Sequence, residues 1–85
     1  MNEETLPIIT FYTRSRCPLC EDAKLMLNLI KDDIPFVLKE YDIDESDELT
    51  ERFGLMIPVV EMDGEIIQYG QIDYFTISKR LHEKS

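Results

Sequence analysis

The stretch Ile8-Ile9-Thr10-Phe11-Tyr12-Thr13-Arg14-Ser15-Arg16-Cys17-Pro18-Leu19-Cys20 decides how this chain is read. Its first part, from Pro7 to Tyr12, is β-branched and aromatic, which predicts a buried strand ending in the polar turn Thr13 to Arg16. From Cys17 onward, apolar residues at Leu19, Ala23, Met26, Leu27 and Ile30 fall at helical spacing and predict one face turned to a core. Pro18 suits the first helical position, and Glu21 with Asp22 suit the positive end of the helix dipole. Asp32-Asp33-Ile34-Pro35 ends the helix, because a residue before proline is pushed out of helical geometry. Two cysteines therefore stand where a strand gives way to a helix.

Working outward, Phe36 to Ile43 reads as a second strand. Asp44 or Ser46 then caps a short helix that carries Leu49 and Phe53 on one face, with Gly54 as its stop. Pro58 to Met62 and Glu65 to Tyr69 are strand-like runs separated only by Asp63-Gly64, which predicts a hairpin with a tight turn. Gly70 breaks the last strand. Asp73 caps a final helix with Tyr74, Ile77 and Leu81 on its buried side. The order βαβαββα joins the first two strands in parallel through a helix and pairs the last two antiparallel. One α/β domain over residues 1–85 follows, with a four-stranded mixed sheet and three helices distributed over both faces.

At 85 residues the chain has room for a single core. Eighteen acidic residues against nine basic ones give a net charge of −9, which argues against nucleic acid, since phosphate contacts need clustered Lys and Arg. The acidic excess reads as a solvated surface, with steering toward a basic partner protein as the sharper alternative. The start, Met1-Asn2-Glu3-Glu4-Thr5, is acidic where a secretory signal carries positive charge. The apolar runs are too short to span a bilayer. A monomeric cytoplasmic protein with no membrane or nucleic-acid partner is expected. In that reducing compartment a cysteine pair serves catalysis or metal binding more often than it serves as a staple.

Disulfide exchange needs a thiolate, and a helix N-terminus stabilises one through its unpaired N–H groups and dipole. It also needs a second thiol in reach, which a residue three positions along a helix provides. Cys17, beside Arg16 and nearer the turn, is the expected attacking nucleophile. Cys20, one turn inside, is the expected resolving thiol. Arg14 and Arg16 favour the thiolate at Cys17, whereas Glu21 and Asp22 oppose it. A zinc site is disfavoured because it wants four ligands, and beyond this pair the chain offers only the remote His82, expected on the surface near a helix end. No metal and no tightly bound cofactor are expected.

Tyr12 to Cys20, with its Cys-Pro-Leu-Cys, resembles the active-site segment of glutaredoxins, which carry Cys-Pro-Tyr-Cys after a strand. Met56-Ile57-Pro58-Val59-Val60 followed by Asp63-Gly64 is similar to that family's Thr-Val-Pro segment and hairpin. The resemblance runs from Ile8 to Leu81 and implies a thioredoxin-like, more narrowly glutaredoxin-like, fold. It implies a cis bond at Pro58, lying against the cysteines and offering backbone groups to an extended peptide or glutathione. It also assigns substrate contacts to Arg14, Arg16, Pro18, Leu19, Ile57, Pro58 and Gly70, with Arg14 meeting a glutathione carboxylate. The departures are Leu19 for Tyr, Met56-Ile57 for Thr-Val, and Gln68-Tyr69-Gly70-Gln71-Ile72 where glutaredoxins place a Gly-Gly pair and then an Asp. The implied function is reduction of protein or low-molecular-weight disulfides by a Cys17–Cys20 dithiol, with electrons from glutathione or thioredoxin reductase. The competing readings are an iron–sulfur or glutathione-linked carrier, and a redox-idle binding module. Tyr12 is expected to pack, with a place at the border of the substrate groove as the alternative.

Overall fold

The computed structural model describes residues 6–84; the acidic start Met1 to Thr5 and Ser85 lie outside them. The elements are β1 (Ile8–Thr13), α1 (Pro18–Asp33), β2 (Val37–Asp42), a 3-10 turn (Ile43–Glu45), α2 (Asp47–Phe53), β3 (Val59–Met62), β4 (Glu65–Tyr69) and α3 (Tyr74–Lys84). The sheet runs β2-β1-β3-β4. β1 is parallel to β2, and β3 is antiparallel to both β1 and β4. This is the expected βαβαββα order and mixed four-stranded sheet, with strand ends displaced by a residue or so.

Alternation along β1 sorts its side chains between two faces. Ile9 and Phe11 meet Val60 and Met62 of β3, and this surface is covered by Cys20, Ala23, Leu27 and Ile30 of α1 with Ile77 and Leu81 of α3. The opposite face carries a smaller cluster of Ile43, Phe53 and Val59, against which Tyr12, Leu49, Met56 and Ile66 pack half-buried. Tyr12 stacks on Phe53 at 4.4 Å between ring centroids and on Tyr41 at 5.9 Å, which is the packing role expected of it.

The local signals act as their chemistry dictates. Ile34 leaves helical geometry at φ −131°, ψ 108° ahead of Pro35. Asp63 and Gly64 both take positive φ, 56° and 78°, which is the conformation a two-residue hairpin turn requires. Of the two candidate caps for α2, Ser46 does the work, its hydroxyl accepting from Leu49 N–H at 3.2 Å. Gly54 ends α2 in right-handed rather than left-handed geometry, and a Cβ there would lie 2.5 Å from the Thr50 carbonyl oxygen.

Two expectations about burial fail. Leu19 is 52% exposed, although Cys20 beside it in the first turn of α1 is buried. Tyr74 is also exposed; its hydroxyl donates to the Asp33 carboxylate, tying the first turn of α3 to the last turn of α1. Among the described residues no helix is long and apolar enough to cross a membrane.

Candidate active site

Strand register gathers three segments at one end of the sheet. Tyr12 pairs with Val59, and Val59 pairs with Tyr69. The turn after β1, the segment before β3 and the segment after β4 therefore all leave the sheet at the same edge. These are the stretches that hold Arg14 to Cys17, Gly54 to Pro58, and Gly70 to Asp73.

Cys17 is the N-cap of α1, with extended backbone at φ −119°, ψ 101°. Its Sγ accepts from the Cys20 backbone N–H at 3.1 Å, and its carbonyl accepts from Glu21 N–H at 3.0 Å. An N-cap side chain takes up one of the donors that a helix leaves unpaired, and here sulfur performs that task. Cys17 and Cys20 are joined as a disulfide, with Cα atoms 5.1 Å apart. Cys20 is 2% exposed within the main core, whereas Cys17 is half-buried and packs against the edge of that core. The asymmetry leaves Cys17 as the more accessible of the two sulfurs. Arg16, immediately before it, holds left-handed backbone at φ 58°, a conformation that costs a non-glycine residue about 1 kcal/mol.

The other expected residues divide. The Ile57–Pro58 bond is cis, as the glutaredoxin resemblance implies. Pro58 is buried, and Ile57 is half-buried, packing against both clusters. Pro18 and Leu19 are exposed beside the sulfur pair. Gly70 takes φ 80°, and its N–H is directed at the Pro58 carbonyl at 2.8 Å and the Met56 carbonyl at 3.0 Å. Gly70 thus ties the segment before β3 to the end of β4. Arg14 is turned onto Asp44, with Nε and Nη2 each 3.0 Å from the same carboxylate oxygen. His82 is exposed, as expected.

Asp44, Gln68 and Asp73 shape this end of the molecule in ways the sequence reading did not assign. Asp44 lies thirty residues from Arg14 and reaches it because β1 and β2 run parallel, with Thr13 beside Asp42. Asp73 caps α3 as expected, accepting from Thr76 N–H at 2.7 Å and Thr76 Oγ1 at 3.0 Å. It also accepts from Gln68 Nε2 at 2.6 Å. These donors, the Gln68 amide first, hold its carboxyl below the ordinary carboxylate range. Among the described residues no three His, Cys, Asp or Glu side chains converge as metal ligands.

The fold, the cysteine pair at the start of α1 and the cis proline opening β3 define a thioredoxin-fold protein with a disulfide-capable pair. Within that class the chain belongs to the Glutaredoxin-like domain family (DUF836), whose profile matches residues 8–82. A curated relative, the "Glutaredoxin-like protein YDR286C homolog" of Dictyostelium discoideum, is 34% identical over 71 residues, covering 76% of this chain. The match spans 66% of that relative's length. Among solved structures, the Nitrosomonas europaea protein Ne2328 superposes with a TM-score of 0.78 at 23% identity, covering 89% of this chain and 92% of that one. A thioredoxin from Halobacterium salinarum superposes with a TM-score of 0.69 at 16% identity, covering 96% and 77%.

Proposed function

We propose that this chain is a thiol–disulfide oxidoreductase that reduces disulfides of proteins or small molecules through a Cys17–Cys20 dithiol. The observation that carries the reading is Cys17 Sγ at the N-cap of α1, accepting the Cys20 N–H at 3.1 Å. In the reduced protein that N–H and the helix dipole stabilise a thiolate on Cys17, the form that attacks disulfides.

The thiolate displaces one sulfur of a substrate disulfide, forming a mixed disulfide and releasing the first substrate thiol once that sulfur takes a proton. Cys20, then deprotonated, attacks the Cys17 sulfur and releases the second substrate thiol. The substrate gains two electrons, and Cys17 and Cys20 are left bridged. Burial of Cys20 suits a resolving thiol, which meets only a sulfur already delivered to its neighbour. Glutathione or a reductase dithiol, such as that of thioredoxin reductase, returns the pair to the reduced form.

The role assignment is checked by two variants. Cys17→Ser abolishes disulfide reduction, and Cys20→Ser accumulates a mixed disulfide with substrate, visible as a mass adduct under non-reducing conditions. Wild-type reduction by Cys17→Ser would sink the assignment.

A further inference from the structure

Most of the groups that would hold a small charged thiol are already engaged at this end of the fold. Glutathione carries two carboxylates and an ammonium, so holding it takes unpaired cations and an unpaired carboxylate beside the sulfur pair. The Arg14 guanidinium is occupied by Asp44. Asp73 already accepts from Gln68 and Thr76. The Gly70 N–H is directed at the carbonyls of Met56 and Pro58. Exposed Glu21 in the first turn of α1 and Asp22 just after it repel carboxylates, whereas exposed Arg16, next to Cys17, attracts them.

The same end presents apolar surface from two separate elements. Leu19 is 52% exposed between the cysteines, and Leu55 is fully exposed in the segment that leads to Pro58. Half-buried Ile57 continues that segment toward Pro58.

Building on the oxidoreductase reading, we infer that the dithiol acts on a disulfide at a protein surface whose neighbouring residues are apolar and basic, in preference to glutathione. The apolar neighbours cover Leu19 and Leu55. The basic ones answer Glu21, Asp22 and the chain's net charge of −9. The reaction is the two-electron exchange described above, so one turnover of pre-reduced protein needs no further reductant.

The test follows single turnovers of pre-reduced protein with three probes. They are a disulfide-cyclised peptide with Leu and Lys beside its cysteines, the same peptide with Glu at those positions, and oxidised glutathione. The Leu/Lys peptide is reduced about tenfold faster than either other probe, and Leu55→Ser removes most of that advantage, the scale set by one lost apolar contact. Leu29→Ser, at a 57% exposed site three turns along α1, retains it. Equal rates for the three probes, or equal losses in the two variants, would overturn the inference. Dithiodipyridine, a small neutral disulfide, separates the two levels. A wild-type dithiol that reacts with it but shows no preference leaves the oxidoreductase reading standing and the inference refuted. A dithiol inert to it refutes both.

Discussion

The two faces of the sheet are built differently. On one, fully buried Ile9, Phe11, Leu27, Ile30, Ile77 and Leu81 interlock between β1, α1 and α3, and Cys20 is set into the same layer. On the other, Ile43, Phe53 and Val59 form a small cluster whose neighbours remain half-exposed, and the short α2 leaves Ile8 and Tyr41 open to water. The helix that bears the sulfurs is therefore fixed by a close-packed interior, in which even a methylene is felt. The α2 face closes the sheet without touching the dithiol directly. Ile57, which packs against both clusters, is the link between them.

The largest expected effect tests that division. Leu27→Ala removes a fully buried side chain from the core layer that also holds Cys20 and costs about 3 kcal/mol, read from urea unfolding. Phe53→Ala costs a similar amount on the α2 face. The two differ at the site: in a reduced Cys17→Ser background, Leu27→Ala speeds alkylation of Cys20, and Phe53→Ala leaves it slow. Equal alkylation rates would show that the clusters open as one unit through Ile57.

A smaller effect belongs to the junction of β4 and α3. Asp73→Ala removes an N-cap and costs about 1 kcal/mol near neutral pH. The pH dependence has a definite sign. The folded pKa of Asp73 lies below the unfolded value of about 3.9, so its stabilisation is complete above that value and is lost as pH falls through the folded one. The gap in unfolding free energy between wild type and Asp73→Ala therefore narrows in acid, and a gap constant down to about pH 2 would contradict the capping account.

The smallest effect concerns the turn before the cysteines. The Arg14–Asp44 pair is 34% and 50% exposed, so Asp44→Asn changes stability by less than about 0.5 kcal/mol. A larger loss in thermal unfolding would mean that the pair holds the end of β1 in place rather than only occupying Arg14.

Much of this was legible in the chain. Each strand and helix carries its own punctuation: Pro18 at a helix start, Ile34-Pro35 at its end, Asp63-Gly64 in the turn, Asp73 at the last cap. Such signals work over a few residues, and the structure keeps them. Cys17 at a strand–helix junction was readable for the same reason, since helix termini and the i, i+3 spacing are local geometry. Burial in the first turn of a helix was less so. Leu19 and Tyr74 fit the apolar period of their helices, yet both are exposed: Leu19 lies beside the face that Cys20, Ala23 and Leu27 bury, and Tyr74 reaches Asp33 with its hydroxyl.

The element order, the hairpin, the caps and the place of the cysteine pair stand in the chain itself, because each is dictated by neighbours close along it. What surrounds that pair follows from packing between elements distant in the chain. That packing buried Cys20 while leaving Cys17 half-open, turned Arg14 onto Asp44, and bound Gly70 to the carbonyls of Met56 and Pro58. Those contacts join residues on different elements, and the register of β1 against β2 and β3 is what brings them within reach.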